Sequence, residues 1–323
     1  MPVQNQHYVP KCLLKHFTNG KKHQVYIFDK SNSKSQLFGI KKIASEKGFY
    51  DIYNENNEKA SIEDVLSQIE TRSSKILHEK IIIPESLISI GENDKYILSY
   101  FFAIQHLRTK HSRENMSIMM DAIVKKYKNM GYPEDKIIDY FGDKEKRSEG
   151  VKIASMRSIT TAEENIPYFF NKKWCLYKTS RSDPFFTSDN PIAMHNENVF
   201  KHHGNIGLSV PGIQIYLPLS TTLCLVMFCP SIEKEAMDEY NNLMKTCNGS
   251  TELAAMHDKY EYFRSFIDGT AFNIKSDKVM FINSLQVIFS TKYLYCETNN
   301  FSLADRMIKD NEEYKEGFKI KTF

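Results

Sequence analysis

The amino-acid sequence predicts an α+β fold, with small antiparallel N-terminal strands and a second, mixed β segment packed on a helical middle. Three observations carry this expectation. Short stretches within the first 55 residues alternate apolar and polar side chains with the period of strands. The residues from 61 to 165 carry apolar stripes at helical spacing. Strand patterns return after residue 170, now interleaved with helices. Strands, then helices, then both together favour α+β over a regular βαβ array.

Each element follows in order. Residues 24–29, 36–43 and 48–53 alternate in strand fashion and are separated by polar turn material such as residues 29–35. They suggest a small antiparallel unit. Ser61 with Asp64 resembles a capping box, and Val65, Leu66, Ile69, Ile76 and Leu77 form the stripe of the helix that follows. Pro84 breaks the chain there. Asn93 or Asp94 can cap one long helix through Phe101, Ile104 and Leu107 and onward past Met120. Pro133 suits the first turn of another helix, and residues 150–165 continue helical. In the second half, residues 174–177, 185–187, 213–217, 223–228 and 293–296 read as strands. Helices are expected over residues 232–244, 252–267, 283–290 and 303–308.

A chain of 323 residues, 41% hydrophobic and 26% charged, can bury a large core. A single large domain over residues 1–323 is expected, β-rich at 1–55, helical at 56–170 and mixed α/β at 171–323. The net charge of +3 is too small by itself to indicate a polyanion partner, because such a partner needs a concentrated basic patch that only folding could build. The six cysteines include no C-x-x-C pair, the N-terminus lacks a signal-peptide core, and no apolar run is long enough for a membrane span. A cytoplasmic protein with reduced thiols and no membrane partner is expected. No metal site is expected: His195, His202 and His203 lack companion carboxylates at ligand spacing. No Gly-rich phosphate loop, nucleophile elbow or H-E-x-x-H motif occurs, so kinases, P-loop NTPases, dinucleotide dehydrogenases and common hydrolases are disfavoured.

Four segments place unusual polar groups in apolar surroundings. His7-Tyr8-Val9-Pro10 offers an imidazole beside a fixed backbone. Gln105 and Arg108 lie three apart on one helical face, with Phe101 a turn earlier, and could clamp an anion or tie a helix to loop carbonyls. Thr187-Ser188-Asp189-Asn190-Pro191 ends an apolar strand in a run of short polar side chains, which suits either a site or a locally bonded turn. Asn283 and Gln286, three apart on a late helix, are expected to support the others.

Taken together, H-Y-V-P-x-x-L-L-x-x-F at 7–17, Q-x-x-R-T at 105–109, F-T-S-D-N-P at 186–191 and L-P-L-S at 217–220 resemble a bacterial family catalogued as domain of unknown function 4238. The resemblance runs from about residue 5 to residue 296. It implies a bacterial cytoplasmic protein of a family often suspected of roles in defence or toxicity, and it implies that His7, Gln105, Arg108 and Asp189 converge. Lys11 and Cys12 depart from the bulkier residues that often follow the proline.

Two functions of different kind remain open. One is a hydrolytic or transfer enzyme acting on nucleic acid or a nucleotide. There His7 and Asp189 form an acid–base pair, Arg108 stabilises the anion, and Tyr8, Gln105, Ser188 and Asn190 bind substrate. In its transferase version, an ADP-ribosyltransferase, Glu297 is the late glutamate. The other is a non-enzymatic ligand sensor or protein-binding partner in which these residues hold the halves together. The sequence specifies no cofactor.

Overall fold

The computed structural model describes residues 5–53, 59–200, 204–246 and 257–320. The strands are β1 (Asn5–His7), β2 (Gln24–Asp29), β3 (Lys34–Gly39), β4 (Ser45–Lys47), β5 (Ile52–Tyr53), β6 (Lys59–Ala60), β7 (Lys173–Lys178), β8 (Thr187–Ser188), β9 (Ala193–His195), β10 (Gln214–Pro218), β11 (Leu223–Phe228), β12 (Ala271–Asn273) and β13 (Tyr293–Cys296). Helices Glu63–Ile76, Glu92–Leu107, Lys110–Asn129, Glu134–Phe141 and Lys144–Thr160 fill the middle, and Pro230–Thr246, His257–Asp268, Ser276–Phe289 and Ser302–Asp310 follow later. The α+β expectation is met. The part of the expected 252–267 helix before His257 lies outside the described residues.

Two sheets organise these elements. One has the order β12-β7-β11-β10-β9; β10 and β11 are buried throughout and β7 at all but its two ends, as expected for strands covered on both faces. The other has the order β3-β2-β13-β8. This second sheet contains the expected N-terminal antiparallel strands β2 and β3 and extends them with strands from the second half of the chain. The β2–β3 hairpin takes β13 as its inner neighbour, and β13 in turn pairs with β8. Strand pairing across more than 260 residues of sequence leaves no local signature, because the ladder is closed by backbone groups common to all residues.

The faces of that sheet differ. Phe28, Leu294 and Cys296 pack with Phe186, Phe301, Ala304 and Ile308 in a small cluster under the Ser302–Asp310 helix. Val25, Ile27 and Tyr295 point the other way, into the main core, which runs continuously from Tyr8 to Tyr295. Alternation along each strand sorts the side chains this way.

The long helix expected to run past Met120 is broken. Glu92–Leu107 ends at Arg108 (φ −88°, ψ 2°), and Thr109 starts a new helix, Lys110–Asn129, with its hydroxyl accepting from the Ser112 amide at 3.2 Å. At the other end, Gly91 is the N-cap and its amide donates to Asp94 Oδ2 at 3.2 Å. Thr109 is a preferred capping residue, but an uninterrupted apolar stripe concealed it.

Candidate functional site

The His7-Tyr8-Val9-Pro10 segment leaves β1 as extended backbone whose carbonyls at His7 and Tyr8 and amides at Tyr8 and Val9 are bound by the protein. The Tyr8 and Val9 amides donate to the Ala44 carbonyl at 2.9 and 3.4 Å. Gln105 Nε2 and Arg108 Nε donate to the Tyr8 carbonyl at 3.0 and 3.2 Å. Arg108 Nη2 and the Tyr50 hydroxyl reach the His7 carbonyl at 3.0 and 3.2 Å. Arg108, 1% exposed, also pairs through Nη2 with Glu70 at 2.8 Å. Its guanidinium therefore clamps backbone carbonyls, one of the two uses open to it from the sequence. His7 Nε2 sits 3.3 Å from the Ile40 carbonyl, which can only accept, so this nitrogen carries the proton. Burial lowers the pKa of His7, partly offset by that bond, and keeps the ring neutral near pH 7.

The Thr187–Pro191 segment is held just as completely. Asp189 is 1% exposed, and its carboxylate accepts from the amides of Thr291, Lys292 and Tyr293 at 2.8, 2.8 and 2.9 Å. Burial raises its pKa, while these three amides and the nearby Lys30 ammonium pull it back. Ser188 Oγ donates to Gln286 Oε1 at 2.8 Å, and Gln286 Nε2 donates to the Pro191 carbonyl at 2.9 Å. Asn190 Nδ2 donates to the Phe289 carbonyl at 3.0 Å. Asn283 bridges the Phe186 amide (2.7 Å) and the Pro184 carbonyl (3.0 Å), the supporting role expected of it.

Lys30 completes this clamp. It is fully buried, and its Nζ donates to the Val287 and Ser290 carbonyls at 2.8 and 2.6 Å, at the C-terminal end of the Ser276–Phe289 helix. A cation there suits the helix dipole. Burial brings its pKa down to about 8.

The expected His7–Asp189 pair is not formed, because each group is engaged elsewhere: His7 by Ile40, Asp189 by the 291–293 amides. What the two segments bring together is what they carry. The first presents the Tyr8 side chain. The second fixes the start of β13, and so Tyr293 and Tyr295. All three tyrosines line one open cleft of about 430 Å³.

Sheet register builds its walls. Tyr293, Asp29 and Lys34 stand in one row across β13, β2 and β3, and Tyr295, Ile27 and Gln36 stand in the next. Phe38 extends the same face, and Lys42, Ala44 and Lys110 close the cleft opposite. Lys110 Nζ lies 5.4 Å from the Tyr8 ring centre and pairs with Glu46 at 2.6 Å across an exposed gap. Asp29 is the one carboxylate in the lining; it accepts from Ser31 and lies 3.4 Å from Lys292 Nζ.

Among the cleft-lining residues, the Tyr295 phenol carries a buried polar atom without a partner, as Gln105 Oε1 and Arg108 Nη1 do in the adjoining clamp. Tyr295 is fully buried, and among the described residues its hydroxyl donates to no acceptor. Burial, then the fields of Tyr8, Asp189 and Tyr293, push its pKa well up, and the Ala44 backbone amide near the phenol oxygen opposes this. Burial and Asp189 raise the pKa of Tyr8 likewise. Both phenols thus stay protonated at neutral pH. An unpaired buried hydroxyl costs about 1–3 kcal/mol.

Of the seven residues expected at the site, Tyr8 lines this cleft; His7, Gln105, Arg108, Ser188, Asp189 and Asn190 do not. Tyr293, Tyr295, Lys110 and the β2–β3 side chains were missed. Their signal was present in the alternating Tyr293-x-Tyr295 and Lys34-x-Gln36-x-Phe38, but a face of alternating residues has no direction until the sheet is assembled. Glu297 follows β13, pairs with Arg181 at 4.0 Å and is not part of the lining.

Among the described residues, no group of three or more His, Cys, Asp or Glu is placed to hold a metal ion. His195 packs edge-on against Phe281, and His202 and His203 lie outside the described residues. Cys12, Cys175, Cys224, Cys229 and Cys296 are free thiols, and Cys247 is outside the described residues. Among the described residues, no helix is long and apolar enough to cross a membrane. No curated protein and no solved structure matches the chain. The model of a family described as a protein of unknown function, DUF4238, matches residues 5–300, which takes in both clamps and the whole tyrosine face, and the chain belongs to that family.

Proposed function

We propose that the protein binds a nucleotide in the cleft of Tyr8, Tyr293 and Tyr295. The unpaired, protonated Tyr295 hydroxyl carries this reading, because it is a buried donor without an acceptor on the wall of an open site. The rest of the lining fits the same ligand. Aromatic faces suit a base, the ammonium groups of Lys34, Lys42 and Lys110 suit phosphate, and Asn32 and Gln36 suit sugar hydroxyls or base edges. The volume falls within the ordinary range of small-molecule sites, about 300–1,000 Å³.

His7, Gln105, Arg108, Asp189, Ser188 and Asn190 act here as positioning residues, holding Tyr8 and β13 in place. Hydrolysis or group transfer on the bound nucleotide is the enzymatic form of the proposal, with Asp29 the available carboxylate. Ligand sensing is the other form. Either would serve a bacterial defence or toxin role through capture of a nucleotide.

Titration calorimetry with nucleoside mono-, di- and triphosphates tests the proposal. Binding is expected for at least one, weakened tenfold or more by Tyr295→Phe. Since that change only deletes an unpaired hydroxyl, the variant should melt no lower than the parent. Absence of binding by every nucleotide at millimolar concentration would sink the reading. Release of phosphate, base or nicotinamide on incubation would separate the enzyme from the sensor.

A further inference from the structure

The net charge of +3 conceals a local concentration. A second groove of about 770 Å³ is lined by Lys11, Lys15, Lys22, Lys41 and Lys42 together with His23. No carboxylate lines it. Glu63 and Glu70 lie within electrostatic reach of its edge, but Glu70 is paired with Arg108. Sequence alone cannot give this patch, because the lysines come from three separate pieces of chain: the Lys11–Phe17 helical turns, the turn before β2, and the segment after β3.

Two further features distinguish the groove from an ordinary solvated charged face. Its lining includes apolar side chains at the sheet edge, with Leu37 and Phe38 leaving 42% and 39% of their surfaces exposed. It also joins the tyrosine cleft, because Phe38 and Lys42 line both. An aromatic platform flanked by ammonium groups is the combination that holds unpaired nucleic acid: phosphates lie along the cations while a base stacks on the ring. β3 is an edge strand, so the groove opens at the side of the sheet and can take a ligand longer than a mononucleotide.

We infer that the groove of Lys11, Lys15, Lys22, Lys41 and Lys42 binds single-stranded nucleic acid, whose terminal or flipped nucleotide enters the tyrosine cleft. The inference rests on the nucleotide reading of that cleft and narrows its ligand from a free nucleotide to a nucleotide within a strand. The backbone runs past the lysines, Phe38 stacks one base at the junction, and the next nucleotide reaches Tyr8 and Tyr295. Each phosphate neutralised releases condensed counterions, so affinity falls as salt rises, with a slope of about −0.7 per contact for a single strand.

Fluorescence anisotropy of the full chain with a labelled 12-nucleotide oligo(U) or oligo(dT), alongside the matching mononucleotide, tests this. The oligonucleotide is expected to bind at least tenfold tighter than the mononucleotide, with log Kobs falling on log salt with a slope of about −2 to −3. A Lys11→Glu, Lys22→Glu, Lys41→Glu variant, changed only outside the cleft lining, should lose that advantage and keep the mononucleotide affinity. If mononucleotide binds but the oligonucleotide gains nothing, the groove inference fails and the cleft reading stands. If the oligonucleotide binds and no mononucleotide does, the cleft reading fails and the groove stands. Equal binding of a poly-glutamate peptide would overturn the choice of nucleic acid in favour of an acidic protein partner.

Discussion

The two clamps beside the cleft solve one problem with opposite charges. At the N-terminal end, a cation, Arg108, gathers the carbonyls of His7 and Tyr8. At the C-terminal end, an anion, Asp189, gathers the amides of Thr291, Lys292 and Tyr293. Each pins a stretch of backbone that cannot pair fully within a sheet, and so fixes the side chains next to it. The difference lies in redundancy. The His7 and Tyr8 carbonyls keep Tyr50 and Gln105 as donors if Arg108 is lost, and Glu70 is partly exposed. The three amides under Asp189 have no second acceptor among the described side chains.

This asymmetry orders the expected effects. Asp189→Ala should cost the most, about 3–5 kcal/mol for one partner removed from a buried charged network, and calorimetry should register a melting temperature lower by about 10 °C. It should also loosen Tyr293 and Tyr295 and abolish ligand binding in the cleft. Arg108→Met should cost less, about 2–3 kcal/mol, since its carbonyls retain donors. A loss at Arg108 larger than at Asp189 would reverse the comparison.

A smaller effect comes with acid. Burial brings His16, His106 and His111 to a pKa of about 4, from an ordinary 6.5. Between those values the unfolded chain takes up protons that the folded chain refuses, so stability is full above pH 6.5 and lost as pH falls towards 4. Melting curves across that window should drop by several degrees. A His106→Gln, His111→Gln variant should show a flatter profile, and an unchanged slope would remove these two residues from the account. Smallest of all in stability is Tyr295→Phe, whose cost should be near zero while ligand affinity falls.

Much of the fold was legible from pattern. β2 and β11 occupy the residues that their alternation and apolar content indicated. Other elements drifted: β3 runs from Lys34 to Gly39 and gives way to a turn of 3-10 helix at Ile40–Lys42, where a strand was expected to continue. The sequence also pointed to these polar segments while leaving their roles open. His7, Gln105, Arg108 and Asp189 are unusual because they are buried charged or polar groups, and burial obliges them to find partners. Whether those partners are a ligand or the backbone cannot be judged from residue type.

The sequence by itself determined the α+β class, the family, most of the larger helices and strands, and the two polar segments beside the cleft. Each depends on spacing within a short stretch, which side-chain periodicity records. Tertiary structure alone decided that β13 joins β2, that Arg108 and Asp189 face backbone rather than an open site, and that Tyr8, Tyr293 and Tyr295 share a wall. It also gathered the scattered lysines beside Phe38. The physical reason is common to all four. A cleft is made of side chains distant in sequence, and their meeting depends on ladder register and core packing, which no local pattern encodes.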